Sequence, residues 1–336
     1  MSYPTITGVG LAVPERLITN TDFTEITGLD TDDRAIRRLT GIERRYWVEG
    51  ADNHATILGT IAAREALTMA SVPAQTIDSI YLSTASPDHP SPSVASMIHG
   101  NLQASENCGA LDINAACAGG VFALRQGAAE MIAFGTQRTL AIGSEIMSPG
   151  LDRSDRKSAI LFGDGAGAAV LEQQADANKP YFATMTRPDL GAIYVPPAGH
   201  AQKDPSEAST IRMNGKEVAK HAAYVMPTLA FAVAGQADLL KSATEIDWQG
   251  IDYFVPHQAN KRMLEPLNDG LQVPDEKRVY TVEEFGNTSS ASVLMALRAA
   301  YDRGTIQPGR KRVLFTSVGA GIVGAAGLID INLPPK

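Results

Sequence analysis

An α/β fold built from two similar halves, with largely buried strands, is what this chain predicts. Short apolar strand-like runs alternate with helical patterns along its length. The order of elements in the first half recurs in the second, although the sequences barely do. Each half also ends in a Gly/Ala-rich, hairpin-like stretch, "GDGAGAAVLEQ" and "GIVGAAGLIDI".

The strand-like runs are Ile80–Thr84, Leu111–Ile113, Thr139–Ile142, Tyr253–Val255 and Val313–Phe315. Between the second and third, Val121, Leu124, Ala128, Met131 and Ile132 share one helical face. Before the last, Val293, Leu294, Leu297 and Tyr301 do the same. Both helices run out at a glycine, Gly135 and Gly304, as helix C-termini often do. "SIYLSTASPDH" (79–89) and "DYFVPHQANKR" (252–262) each read as strand, polar turn, helix start. "TLAIGSEIM" (139–147) and "VLFTSVGAG" (313–321) each read as strand, then small-residue loop. The halves join near 172–180, where "EQQADANKP" turns polar, so we assign 1–175 to the first and 176–336 to the second.

Composition narrows the function. At 44% hydrophobic and 20% charged, the 336 residues suit a globular protein of one large domain or two medium ones. No run approaches the ~18 consecutive apolar residues of a membrane helix. Met1–Pro14 has no basic region ahead of an apolar stretch, so no secretory signal is expected. The two cysteines, Cys108 and Cys117, form no C-x-x-C pair and no metal cluster. A reducing, cytoplasmic setting is expected. The net charge of −8 argues against nucleic-acid binding.

Gly319-x-Gly321-x-x-Gly324 follows an apolar run and imitates a dinucleotide-binding loop. That loop needs a helix after the glycines and an acidic residue ~20 positions on. Here "AAGLIDIN" reads as a strand and Asp330 comes too early. "GDGAGA" at 163–168 lacks the Gly-Lys-Ser/Thr of a phosphate loop. What remains is a tight turn whose backbone N–H groups could meet a developing negative charge.

"ALDINAACAGGVFALRQG" supplies a candidate nucleophile. Cys117 falls at a strand-to-helix turn, where the helix field is expected to lower the thiol pKa. Cys108, in polar "SENCGA", has no such junction and reads as structural. His257 in "FVPHQAN" ends a strand, with Pro256 fixing the turn. Asn287 in "EFGNTSSAS" lies in a glycine-turned loop before a helix capped by Thr288 or Ser289. Such junctions are where sites gather in α/β folds.

"AACAGG", "FGDGAGAAVL", "VPHQAN", "GNTSSAS" and the terminal "GAGIVGAAGL", in that order, resemble β-ketoacyl-acyl carrier protein synthase III, one of the thiolase-like condensing enzymes. "TGIERR" (40–45) and "SDR" (154–156) add to the likeness, which runs from "ITGVGLAVPE" to the C-terminus. The resemblance implies a thiolase-like fold of two α/β halves in a five-layer αβαβα arrangement, and a homodimer. It implies that Cys117 takes an acyl group from a thioester. His257 and Asn287 would then stabilise the enolate formed as malonyl on acyl carrier protein loses CO2. The oxyanion at the cysteine would be met by the backbone N–H groups of Cys117 and Ala320. Ala320 stands where the family has the middle glycine of three. No cofactor or metal is implied. The substrates ride on coenzyme A or on the phosphopantetheine of acyl carrier protein.

Three departures concern the acyl donor. Ala35 aligns with the tryptophan that stacks on coenzyme A adenine, and Leu39 with an arginine before "TGI". Ser91 aligns near a phenylalanine that caps a short acyl pocket from the neighbouring subunit. Arg156 keeps the other face of the adenine site. These changes imply a donor other than acetyl-CoA, in specialised polyketide or fatty-acid-derived metabolism. The alternatives are housekeeping initiation from acetyl-CoA and a non-condensing acyltransferase or partner subunit of the same fold. "HPSPSVA" lacks the glutamate of relatives that join two long chains. Arg262 looks like the family's docking position for the acidic carrier protein. Lys261, Lys220, Arg212 and Lys216 could extend a basic rim around it. A thiol protease gives the "GNTS" and "GDGAGA" motifs no role. A thiolase would need a second catalytic cysteine near the C-terminus.

Overall fold

Nine strands build the interior of a computed structural model that describes residues 2–50, 54–194 and 210–336. They are β1 (Ser2–Ala12), β2 (Ser79–Ser83), β3 (Gly109–Ile113), β4 (Arg138–Glu145), β5 (Gly165–Ala175), β6 (Tyr181–Asp189), β7 (Tyr253–Pro256), β8 (Gly309–Gly319) and β9 (Gly321–Leu333). The first group runs β3-β2-β4-β5-β1 and the second β7-β8-β9-β6. A single parallel pair, Ile6 with Ile331, joins them.

The pairing pattern is the same in both groups. β2 lies parallel to β4, β4 antiparallel to β5, and β5 antiparallel to β1. β7 lies parallel to β8, β8 antiparallel to β9, and β9 antiparallel to β6. The sequence stretches matched above therefore occupy equivalent strands. The proposed junction at 175/176 falls between β5 and β6.

The major helices are α1 (His54–Ala70), α2 (Val94–Leu102), α3 (Gly119–Phe134), α4 (Gly215–Gln236), α5 (Lys261–Gly270) and α6 (Ser292–Asp302). α1 packs on β1, β5 and β4, and α2 on α1 and β3. α4 packs on β9, β8 and β6 and carries α5. α3 and α6 lie between the two strand groups and touch both. The result is the five-layer αβαβα thiolase-like order. A helix between two sheets has no polar side to spare: nine residues of α6, Ser292–Leu297 and Ala299–Tyr301, are buried.

The Gly/Ala-rich stretches are strands pressed against helices. A Cβ on Gly167 would lie 2.6 Å from the Met295 backbone nitrogen, so β5 accepts α6 only with glycine there. Two expectations change. Ile132 is 52% exposed, because the last turn of α3, with Phe134, lies uncovered in the single chain. α6 ends at Asp302 with Arg303 as its C-cap, before Gly304.

Candidate active site

Each chemistry-bearing residue sits where an element ends. β3 passes into one 3-10 turn, Ala116–Ala118, and α3 starts at Gly119, so Cys117 occupies the junction. His257 follows β7, and its backbone N–H continues the ladder to the Thr316 carbonyl at 2.8 Å. Asn287 follows Gly286, whose φ of +66° makes the turn that glycine tolerates. The Asn287 N–H donates to Leu161 O at 2.8 Å, and its carbonyl accepts from Gly163 N at 3.1 Å. "FGDG" thus anchors the asparagine loop. Neither Thr288 nor Ser289 caps the helix there by a side-chain bond. Asn287 Oδ1 instead accepts the Ser289 N–H at 2.9 Å, which leaves its side-chain NH2 free to donate elsewhere.

These residues meet. Cys117, His257, Asn287 and Ala320 line one cavity of about 330 Å³. The first three are buried, whereas Lys157 and Arg262, which also line it, are exposed. Leu161, Phe162, Ile193, Val318 and Ile322 make its wall apolar. It therefore leads from two surface cations, past apolar walls, to a thiol, an imidazole and an amide.

The glycine loop belongs to this site. A Cβ on Gly319 would stand 2.7 Å from the Cys117 nitrogen and 2.8 Å from the Ala115 carbonyl, so the end of β8 lies directly against the cysteine turn. Ser317 Oγ fastens the same contact by donating to the Cys117 carbonyl at 2.6 Å. Ala320, the turn residue between β8 and β9, has no acceptor for its N–H among the described residues. That is the condition an oxyanion donor must meet.

The thiol departs from expectation. Burial, with no cation beside it among the described residues, pushes Cys117 up to about 11. The neighbouring Ser289 side chain pulls it down and the nearby Glu145 carboxylate raises it. Burial thus opposes the thiolate that the helix start favours. Cys108 is likewise raised to about 11 by burial and does not line the cavity.

Glu145 was missed in the sequence, although "GSE" places it straight after an apolar run. It is fully buried at the end of β4. One carboxylate oxygen accepts from Ala85 N at 3.0 Å and Ser86 Oγ at 2.7 Å. The other accepts from Ser289 Oγ at 3.0 Å and Ser290 N at 3.3 Å. It thereby ties the asparagine loop to the loop after β2. Ser289 holds φ at +48°, an unfavourable conformation for a residue with a Cβ, fixed by these bonds.

Burial holds His257 down at about 3, so its ring is neutral at neutral pH. An unfolded histidine titrates near 6.5. Between those values the unfolded chain binds more protons, so this contribution to stability is complete above pH 6.5 and falls as pH drops towards 3. The slope is about 1.4 kcal/mol per pH unit within that window. Urea unfolding between pH 6.5 and 4.5 is expected to show the parent losing about 2 kcal/mol more than His257→Asn. Parallel curves would contradict it.

The donor and docking residues scatter. Ala35 lies in the helix Asp33–Thr40, its N–H bonded to the Asp32 cap, and does not line the cavity. Arg156 is exposed, with Nη1 3.5 Å from the Asp30 carbonyl, so it lies near the Ala35 segment. Ser91 is exposed before α2 and does not line its own chain's cavity. Lys261 pairs with Glu283 at 3.4 Å and lies over the Tyr280 ring, and Lys220 pairs with Glu217 at 3.4 Å. Of the five docking candidates, Arg262 alone borders the cavity. Asp189, Glu217 and His221 come close enough to share a cation, but His221 is bonded to Asp189 at 2.8 Å and none of them lines the cavity.

Comparison with known proteins places the chain in a family. The family profile described as 3-oxoacyl-[acyl-carrier-protein (ACP)] synthase III matches residues 111–189, and its C-terminal counterpart matches residues 242–331. A β-ketoacyl-[acyl-carrier-protein] synthase III of Anaplasma marginale is 37% identical, over 96% of this chain and 98% of its own length. The crystal structure of 3-oxoacyl-[acyl-carrier-protein] synthase III from Aquifex aeolicus superposes with a TM-score of 0.86 at 30% identity, covering 97% of this chain and 99% of the other. The priming β-ketosynthase of the R1128 polyketide pathway superposes with a TM-score of 0.86 at 31% identity, covering 99% and 97%.

Proposed function

The chain belongs to the β-ketoacyl-[acyl-carrier-protein] synthase III family, and from that premise we propose that it condenses a Cys117-bound acyl group with malonyl carried on acyl carrier protein. The observation that carries this reading is the convergence of buried Cys117, His257 and Asn287 on one cavity. In the first step the Cys117 sulfur bonds to the acyl carbon and the donor's C–S bond breaks. The thiol proton leaves on the departing thiol. In the second, the C–CO2 bond of malonyl breaks and its electron pair enters an enolate. The enolate oxygen accepts hydrogen bonds from His257 Nε2 and the Asn287 amide. The enolate carbon then attacks the acyl-cysteine, its oxyanion meets the N–H groups of Cys117 and Ala320, and on collapse the C–S bond breaks and Cys117 leaves as a thiolate that takes a proton from solvent water. A neutral imidazole suits the middle step. It stabilises the enolate by a hydrogen bond, whereas an imidazolium would protonate the carbon that must attack.

Arg262 and Lys157, exposed where the cavity opens, suit the phosphate of a pantetheine arm and an acidic carrier protein. A homodimer fits the uncovered apolar residues. β3 is an edge strand, Leu111 on it is 59% exposed, and Ile132 and Phe134 lie uncovered.

The donor is proposed to be longer than acetyl. Small, exposed Ser91 stands where the family resemblance puts a bulky cap. A second hollow of about 570 Å³, lined by Phe122, Leu190, Ile193 and Tyr194, shares Ala320 with the catalytic cavity. Initiation from acetyl-CoA is the competing reading, and the curated relatives, named β-ketoacyl-[acyl-carrier-protein] synthase III, are compatible with either donor. Intact-mass measurement after incubation with acyl-CoAs and acyl carrier proteins of graded chain length separates the two. Loading of longer chains over acetyl by about 10-fold or more is expected. Preferential acetyl loading would overturn the donor assignment, and no loading by any donor would overturn the condensing reaction.

A further inference from the structure

His257 must present a proton to the substrate oxygen, yet a neutral imidazole carries only one, on either nitrogen. Nδ1 lies 2.7 Å from Ser292 Oγ, and both residues are buried to within 2%. Ser292 is the first residue of α6, and its hydroxyl makes no other hydrogen bond among the described residues. If Nδ1 bore the proton, it would donate to Ser292, and the serine O–H would be left buried with no acceptor. If Nδ1 is bare, the serine donates to it and the pair is satisfied.

We propose that Ser292 is the positioning residue that fixes the tautomer of His257: its hydroxyl donates to Nδ1 and so places the ring proton on Nε2, the nitrogen left for the cavity. The assignment builds on the condensing function given above. The support around it is rigid. The His257 N–H is bonded to Thr316, and Ser290 Oγ, two residues before Ser292, is bonded to the Ser83 carbonyl at 3.0 Å. The neutral state of the ring, which burial enforces, is what makes the choice of tautomer matter.

The test uses the full chain, with Ser292→Ala and Ser292→Thr. Ring 15N and 13C shifts of His257 in the parent are expected to report the Nε2–H tautomer, and in Ser292→Ala a mixture. CO2 release from malonyl-acyl carrier protein should fall about 10- to 100-fold in Ser292→Ala, with KM for that substrate little changed and acyl loading of Cys117 intact. Ser292→Thr, which keeps the hydroxyl, should restore most of the rate. An Nδ1–H tautomer in the parent, an unchanged tautomer with full CO2 release in Ser292→Ala, or an equal loss of loading and CO2 release would each overturn the proposal. If Ser292→Ala fails to fold, the parent spectrum alone decides. If the parent releases no CO2 the condensing reading fails, while the spectrum still reports on Ser292.

Discussion

Cys117→Ala is expected to load no acyl group from any donor and to lower condensation by about 10⁴-fold or more, which intact mass and product formation measure together. Among the described residues no other thiol lines the cavity. His257 is neutral and bonded through Nδ1, and Cys108 does not line the cavity. The cost comes from the covalent route itself. Without the sulfur, the acyl group has no way to wait while the second substrate enters. Malonyl decarboxylation should persist in this variant, because its donors, His257 and Asn287, remain. The same burial that raises Cys117 to about 11 makes its alkylation by iodoacetamide climb roughly tenfold per pH unit across neutrality. Acyl loading that survived in Cys117→Ala would place the nucleophile elsewhere.

Asn287→Asp should slow CO2 release from malonyl-acyl carrier protein by about 10²- to 10³-fold and leave loading of Cys117 within a few-fold. The substitution is nearly isosteric. Its carboxylate still accepts the Ser289 N–H, and the bonds to Leu161 and Gly163 are made by the backbone. What disappears is the NH2 donor, and an ionised carboxylate would also repel the enolate. A purely structural role for Asn287 would slow both half-reactions together, and that result would remove it from the chemistry. The split between loading and decarboxylation separates this variant from Cys117→Ala.

Much of the molecule was legible in the residues. The order of apolar runs and small-residue loops located the strands, because a strand covered on both faces must be apolar along its length. Cys117, His257 and Asn287 were legible because each stands at a junction marked by glycine or proline. Glu145 and Ser292 were not. Both are ordinary residues whose importance comes from the groups that surround them, and those groups lie far away in the chain. Glu145 binds residues 59 or more positions away, and Ser292 binds one 35 positions away. Ile132 fitted the apolar face of α3 by spacing, but spacing does not say where the covering layer stops.

The sequence by itself determined the alternation of elements, the repeated element order and the three side chains proposed to react, since these depend on local periodicity, turn chemistry and residue type. The tertiary structure alone decided their electrical state and their company. A thiol at the start of a helix is acidified in water but raised when the protein closes over it, because loss of solvent opposes the helix field. It also separated the cations: Arg262 faces the cavity, while Lys261, its neighbour in sequence, is held by Glu283. Adjacent residues on a helix point in different directions, and only the packed neighbours determine which one meets the substrate.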